Sequence, residues 1–160
     1  MHGALLREAP GAWAGCWLLA EGLLARGARV ALLDIDADAL EATRAAREPG
    51  GHVVSRVCDM CDADDIYAAA EWAREGLGGM DILINNAGVV SGGALVDVSE
   101  EEHTRTWLVN SLGVARMTRA VLPGMIEQQR GHVVNMASAS GLTGLALGTT
   151  YSGSKSAVVG

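Results

Sequence analysis

Tyr151 and Lys155 stand four residues apart in the run YSGSK, with only Ser and Gly between them. On a helix that spacing puts both side chains on one face. A free tyrosine titrates near pH ~10 and is a poor base at neutrality, but an adjacent ammonium favours phenolate, so such a pair can pass a proton near pH ~7. The same spacing also arises on ordinary exposed helices, where the lysine reaches out to water. The pair therefore needs company, and the sequence supplies candidates: Asn110 in LVNSLGVARMTRAVLPGM, Ser138 in GHVVNMASASG with Ser140 two positions on, and NNAG at 85–88. A serine hydroxyl can hydrogen-bond an oxygen as charge builds on it.

The elements that must hold these groups alternate in texture from Gly27 onward. Short runs rich in Val, Ile and Leu predict strands at 28–36, 52–59, 80–88 and 131–138. Between them, helical spacing predicts helices at 37–48, closed by Pro49, Gly50 and Gly51, at 62–78, and over a long stretch from about 99 to 129. In the long helix Leu108, Leu112, Ala115 and Thr118 are expected to face inward, and a further helix begins at 151. Strands without clean alternation, spaced by helices, imply a parallel sheet covered on both faces. The expected class is α/β, a doubly wound Rossmann-type sheet. It forms one domain over 1–160, with an atypical segment at 1–26 and no linker or repeat. The loop at 138–150, rich in Gly, Ser and Thr, follows a parallel strand at the end where such sheets bind ligands.

A net charge of −7 without a basic cluster disfavours nucleic acid and anionic membrane surfaces, leaving a small molecule as the expected partner. Three cysteines make no disulfide framework, which suggests a reducing compartment and a cytoplasmic location. Cys58 and Cys61 form a single CxxC, read here as packing rather than a redox or metal module, and no metal site is expected. His2, His52, His103 and His132 are scattered and read as structural or exposed. The apolar run GAWAGCWLLAEGLLA carries Glu21 and is shorter than the ~20 residues of a membrane span.

Taken in order and spacing, NNAG, Asn110, Ser138 and YSGSK resemble the short-chain dehydrogenase/reductase family over about 27–160, with Ser138 thirteen positions before Tyr151 as in that family. The resemblance implies an oxidoreductase that moves hydride between a nicotinamide dinucleotide and a secondary alcohol or ketone. It implies Tyr151 as general acid/base, Lys155 favouring the ionised tyrosine and holding the nicotinamide ribose, and Ser138, preferred over Ser140, bonding the reacting oxygen. Asn110 would hold a water linking Lys155 to solvent. Asp34, at the end of a strand, would accept from the adenosine ribose hydroxyl and repel a 2′-phosphate, favouring NAD over NADP. The simpler reading of Asp34 or Asp36 is a cap for the next helix. Asp59 and Met60 would flank the adenine, and Asn86, Ala87 and Gly88 would line the adenosine side. The helices at 99–129 and from 151 would be the faces of a homo-oligomer. The apolar GLTGLALG (141–148) suggests a hydrophobic substrate such as a steroid, retinoid or aliphatic alcohol.

The N-terminus departs from the family pattern, in which a strand leads into TGxxxGxG. Gly11 and Gly15 keep a GxxxG and are the phosphate-turn candidates, but Cys16 and Trp17 follow, Pro10 replaces threonine, and no first strand is evident. Shifting the reading frame across Leu6 to Trp17 permits a glycine-rich turn of the family kind. Family members also continue beyond the tyrosine helix. The chain is thus expected to be an incomplete family domain lacking its first and last strands, poorly stable and inactive by itself. The competing expectation is a non-catalytic product that pairs with intact relatives.

Overall fold

The computed structural model describes residues 3–7, 13–45 and 52–160. Five strands form one parallel sheet: β1 (Ala4–Arg7), β2 (Val30–Asp34), β3 (Val53–Val57), β4 (Ile82–Asn85) and β5 (His132–Asn135), in the order β3-β2-β1-β4-β5. The helices are α1 (Trp13–Leu24), α2 (Ala37–Ala45), α3 (Ala63–Leu77), α4 (Glu100–Trp107), α5 (Gly113–Glu127), the single turn α6 (Ser140–Thr143) and α7 (Thr149–Val159).

The expected gap in the middle of the sheet is not there. Ala4–Arg7 fills it, pairing Leu5 with Ala31 on one side and with Leu83 on the other. Three short apolar residues ahead of Arg7 are a weak strand signal alone, but two flanking parallel strands offer every backbone group a partner, and an unpaired buried amide is costly.

Every residue of β2 is buried, as a central parallel strand requires. Its side chains divide the core. Ala31 and Leu33 join Ile66, Ala69, Ala73 and Leu77 of α3 and Met117 and Val121 of α5, while Val30 and Leu32 meet Ala20 of α1 and Leu40 of α2. Sequence sets the ends of α3: Asp62 accepts from the Asp64 and Asp65 amides at the start, and Gly78 closes it at φ 68°.

The long helix expected at 99–129 is two helices joined by a π-helical turn at Leu108–Leu112. A π turn inserts a residue into the α repeat and rotates the face of everything after it. The inward face is therefore Thr106, Val109, Asn110, Val114, Met117, Val121 and Met125, while Leu112, 44% exposed, and Ala115 point outward, contrary to the expected pattern. Cys58 belongs to the core and Cys61 is partly buried against it. Burial first, then the Asp59 carboxylate, push the Cys61 thiol up, away from a reactive thiolate. Among the described residues no cluster of His, Cys, Asp and Glu could hold a metal, and no helix is long and apolar enough to cross a membrane.

Candidate active site

The π turn places Asn110 where a straight helix would not. Asn110 is fully buried and clasps the chain just after β4: its Oδ1 accepts from Val89 N–H (2.8 Å) and its Nδ2 donates to Val89 C=O (2.9 Å). The same Nδ2 reaches Ser154 Oγ (2.9 Å), while Ser111 Oγ donates to Ser154 C=O (2.9 Å). The middle of the long helix is thereby bolted to both the β4 loop and α7. Ser154 is a residue the sequence reading passed over. The small residues inside YSGSK were its only signal.

Those small residues have a packing reason. A Cβ on Gly153 would stand 3.2 Å from the Trp107 indole of α4, and one on Gly141 would stand 2.8 Å from the Lys155 backbone. The helix carrying Tyr151 and Lys155 is thus pressed between α4 and α6, and the two side chains lie on one face of it as their spacing predicts. Thr150, just before Tyr151, is tied to α4 through His103 Nδ1 at 2.9 Å.

Lys155 is the chain's only lysine. It is 5% exposed, and burial lowers its pKa from the ordinary lysine value. Its Nζ donates to Met136 C=O (2.7 Å), just past the end of β5, and a Cβ on Gly88 would lie 3.3 Å from both Nζ and Asn110 Oδ1. An ammonium has three donors, so two are not used by Met136, and the missing Cβ of Gly88 makes room for the Lys155 and Asn110 side chains. Ser138 follows β5 in a half-buried position and accepts two hydrogen bonds from Ser140. Asn110, Ser138, Tyr151 and Lys155 all lie on elements gathered at the C-terminal ends of β4 and β5.

On the other side of the sheet, Asp34 ends β2 almost fully buried, its Oδ1 accepting from Asp36 N–H at 2.9 Å. Asp36 is the one that caps α2, accepting from Ala39 N–H at 3.0 Å. The capping role suggested for either acid belongs to Asp36. Asp59 Oδ1 accepts from Cys61 N–H (2.8 Å) in the turn after β3. Met60 is buried and packs on Gly113, where a Cβ would come within 3.2 Å of its carbonyl oxygen. Ala87 is buried and Asn86 and Gly88 half-buried after β4. Gly15 lies in the first turn of α1, and Gly11 lies outside the described residues.

The family model for short chain dehydrogenases matches residues 17–160. This chain belongs to that family. It is 35% identical over 142 residues to 2-(S)-hydroxypropyl-CoM dehydrogenase 3 of Xanthobacter autotrophicus, covering 88% of this chain and 56% of that protein. The family member thus spans little more than half the length of this curated relative. Its fold superposes on a metagenomic short-chain oxidoreductase solved with NADP at a TM-score of 0.89, with 34% identity, covering 99% of this chain and 70% of that one. A short chain dehydrogenase/reductase from Burkholderia phymatum, solved with NAD, gives a TM-score of 0.88 at 34% identity, covering 98% of this chain and 56% of that one. Both of these solved relatives hold a nicotinamide dinucleotide.

Proposed function

We propose that this chain carries the catalytic wall of an NAD-dependent dehydrogenase that interconverts a secondary alcohol and its ketone. The observation that carries this reading is the buried Lys155, held by Met136 C=O beside Gly88 and next to the Asn110 clasp. A structural protein has no use for a buried ammonium with two unspent donors, because burying a charge is costly.

When bound, the dinucleotide supplies the hydride acceptor or donor. Lys155 holds the ribose hydroxyls with its remaining donors. Ser138 bonds the substrate oxygen, and Tyr151, one turn before Lys155, takes the hydroxyl proton in oxidation or returns it in reduction. Asn110 fixes the β4 loop and α7 in one frame, and the water it would hold beside Lys155 belongs to this reading. In this reading Asp34, at the end of β2, favours NAD by accepting from a ribose hydroxyl and repelling a 2′-phosphate, while Asp36 caps α2. Asn86, Ala87 and Gly88 line the adenosine side, with Asp59 nearer the adenine and Gly15 at the phosphate end. Leu142, Leu145 and Leu147 are all more than half exposed near the site, which fits an apolar substrate.

Titration with NADH and NADPH, followed by turnover of hydrophobic secondary alcohols, tests this reading. Because the first strand is present in the sheet, tighter NADH binding and alcohol-dependent reduction of NAD are expected, in place of the inactivity that a missing strand implied. Absence of binding to either dinucleotide would overturn it. A second reading is favoured by the apolar groove along α4, α5 and α7, where Trp107, Leu112, Leu122 and Ile126 are exposed. In it the chain pairs through these helices with another family member, and the molecular mass in solution is the check.

A further inference from the structure

Ser140 stands outside the Asn, Ser, Tyr, Lys set, yet both of its donors are directed at one member of it. Its hydroxyl donates to Ser138 Oγ at 2.8 Å, and its backbone N–H donates to the same oxygen at 3.2 Å. A serine oxygen has two lone pairs and one proton. With both lone pairs engaged, Ser138 keeps only its proton to offer.

We propose that Ser140 is a positioning residue that turns Ser138 into an obligate donor to the reacting oxygen. Ser138 then favours a carbonyl or an alkoxide over an alcohol's O–H, which leaves the substrate proton to Tyr151. This rests on the catalytic reading above. The arrangement is held from two sides. Gly141 N–H donates to Ser138 C=O (2.9 Å), closing the first turn of α6, and Ser156 Oγ of α7 donates to Gly141 C=O (2.7 Å). Close packing of Gly141 on the Lys155 backbone fixes α6 against the helix that carries Tyr151. The Ser140 donors are therefore set in the same frame as the acid/base they serve.

A hydroxyl has three staggered positions, and losing a positioned oxyanion donor costs about 10²- to 10³-fold in kcat. Releasing the donor rather than deleting it is expected to cost less: Ser140→Ala lowers kcat about 5- to 30-fold with KM changed by less than about twofold, and Ser140→Thr, which keeps the hydroxyl, stays within about threefold of the parent. In a Ser138→Ala background Ser140→Ala adds nothing, because it acts through Ser138. A readout independent of turnover is amide hydrogen exchange, in which Ser138→Ala is expected to speed exchange at the Ser140 amide about tenfold or more. NAD-dependent turnover left intact by Ser140→Ala, or an unaltered Ser140 amide, overturns this inference and spares the catalytic reading. Failure of the parent chain to bind either dinucleotide overturns both.

Discussion

The acids on the β2–β3 side of the sheet and the residues proposed as catalytic on the β4–β5 side are held by different means. Asp34 and Asp59 are each anchored to an amide two residues ahead in their own turns. Asn110, by contrast, reaches 21 residues back to Val89 and 44 forward to Ser154, and Lys155 reaches 19 back to Met136. Asn85, which opens NNAG, bonds Asn135 across 50 residues. The β2–β3 side is a set of local turns whose members can be exchanged singly. The β4–β5 side is one unit in which each side chain is a strut for the next, so its substitutions should couple rather than add.

Tyr151→Phe tests that contrast at its most chemical point. It removes the proton relay and leaves the ring to pack, so kcat is expected to fall about 10²- to 10⁴-fold with NADH affinity nearly unchanged. Asn110→Leu tests the strut. It strands both partly buried Val89 backbone groups, each at a cost of about 1–3 kcal/mol, and removes one donor from Ser154 Oγ, whose own proton stays on Tyr151 C=O. A total loss of roughly 3 kcal/mol or more in denaturant unfolding is expected, together with loss of activity. A loss under about 1 kcal/mol would show that the clasp is not a strut.

The sequence made this asymmetry partly visible. Strands β2 to β5 were legible because each is a short apolar run closed by turn residues, and Tyr151, Lys155, Ser138 and Asn110 stood out as candidates through their resemblance to the family motifs. The first strand was not, since Ala4–Leu6 is indistinguishable from any short apolar tripeptide until two parallel neighbours are there to pair with it. Leu112 and Ala115 in the long helix were placed inward wrongly, although Thr118 does accept from the buried Asn85, because a period of 3.6 assumes an unbroken α repeat. The π turn at Leu108–Leu112 breaks it, and nothing local in LVNSL announces that. Ser154, Met136 C=O and the Ser140 donors were hidden for a related reason: their importance lies in partners that only the tertiary fold brings near.

On the local side, Asp34→Ser should relax selection of the dinucleotide without disturbing the catalytic wall. Removing the carboxylate lifts the repulsion of a 2′-phosphate, and the ratio of NADPH to NADH affinity is expected to rise about tenfold, equivalent to about 1.4 kcal/mol. The unfolding midpoint should fall modestly, because the buried Asp34 accepts from Asp36 N–H, while the α2 cap on Asp36 stays in place. An unchanged ratio would remove Asp34 from the cofactor site.

The smallest effect reports on Lys155 alone. Burial lowers its pKa, so the folded state disfavours the charged form relative to the unfolded chain. Below the lowered value the cost is fully present, and between that value and the ordinary 10.5 the unfolded chain binds more protons. Stability from this group therefore rises with pH through that window and levels off above it. Lys155→Met has no proton to lose, so the difference in unfolding free energy between parent and variant should shift in the parent's favour as pH climbs towards 10.5. Because the chain has no other lysine, the difference isolates one ammonium. Parallel curves would mean that Lys155 is solvated in the free protein, and the two donors assigned to the ribose would then already be satisfied by water.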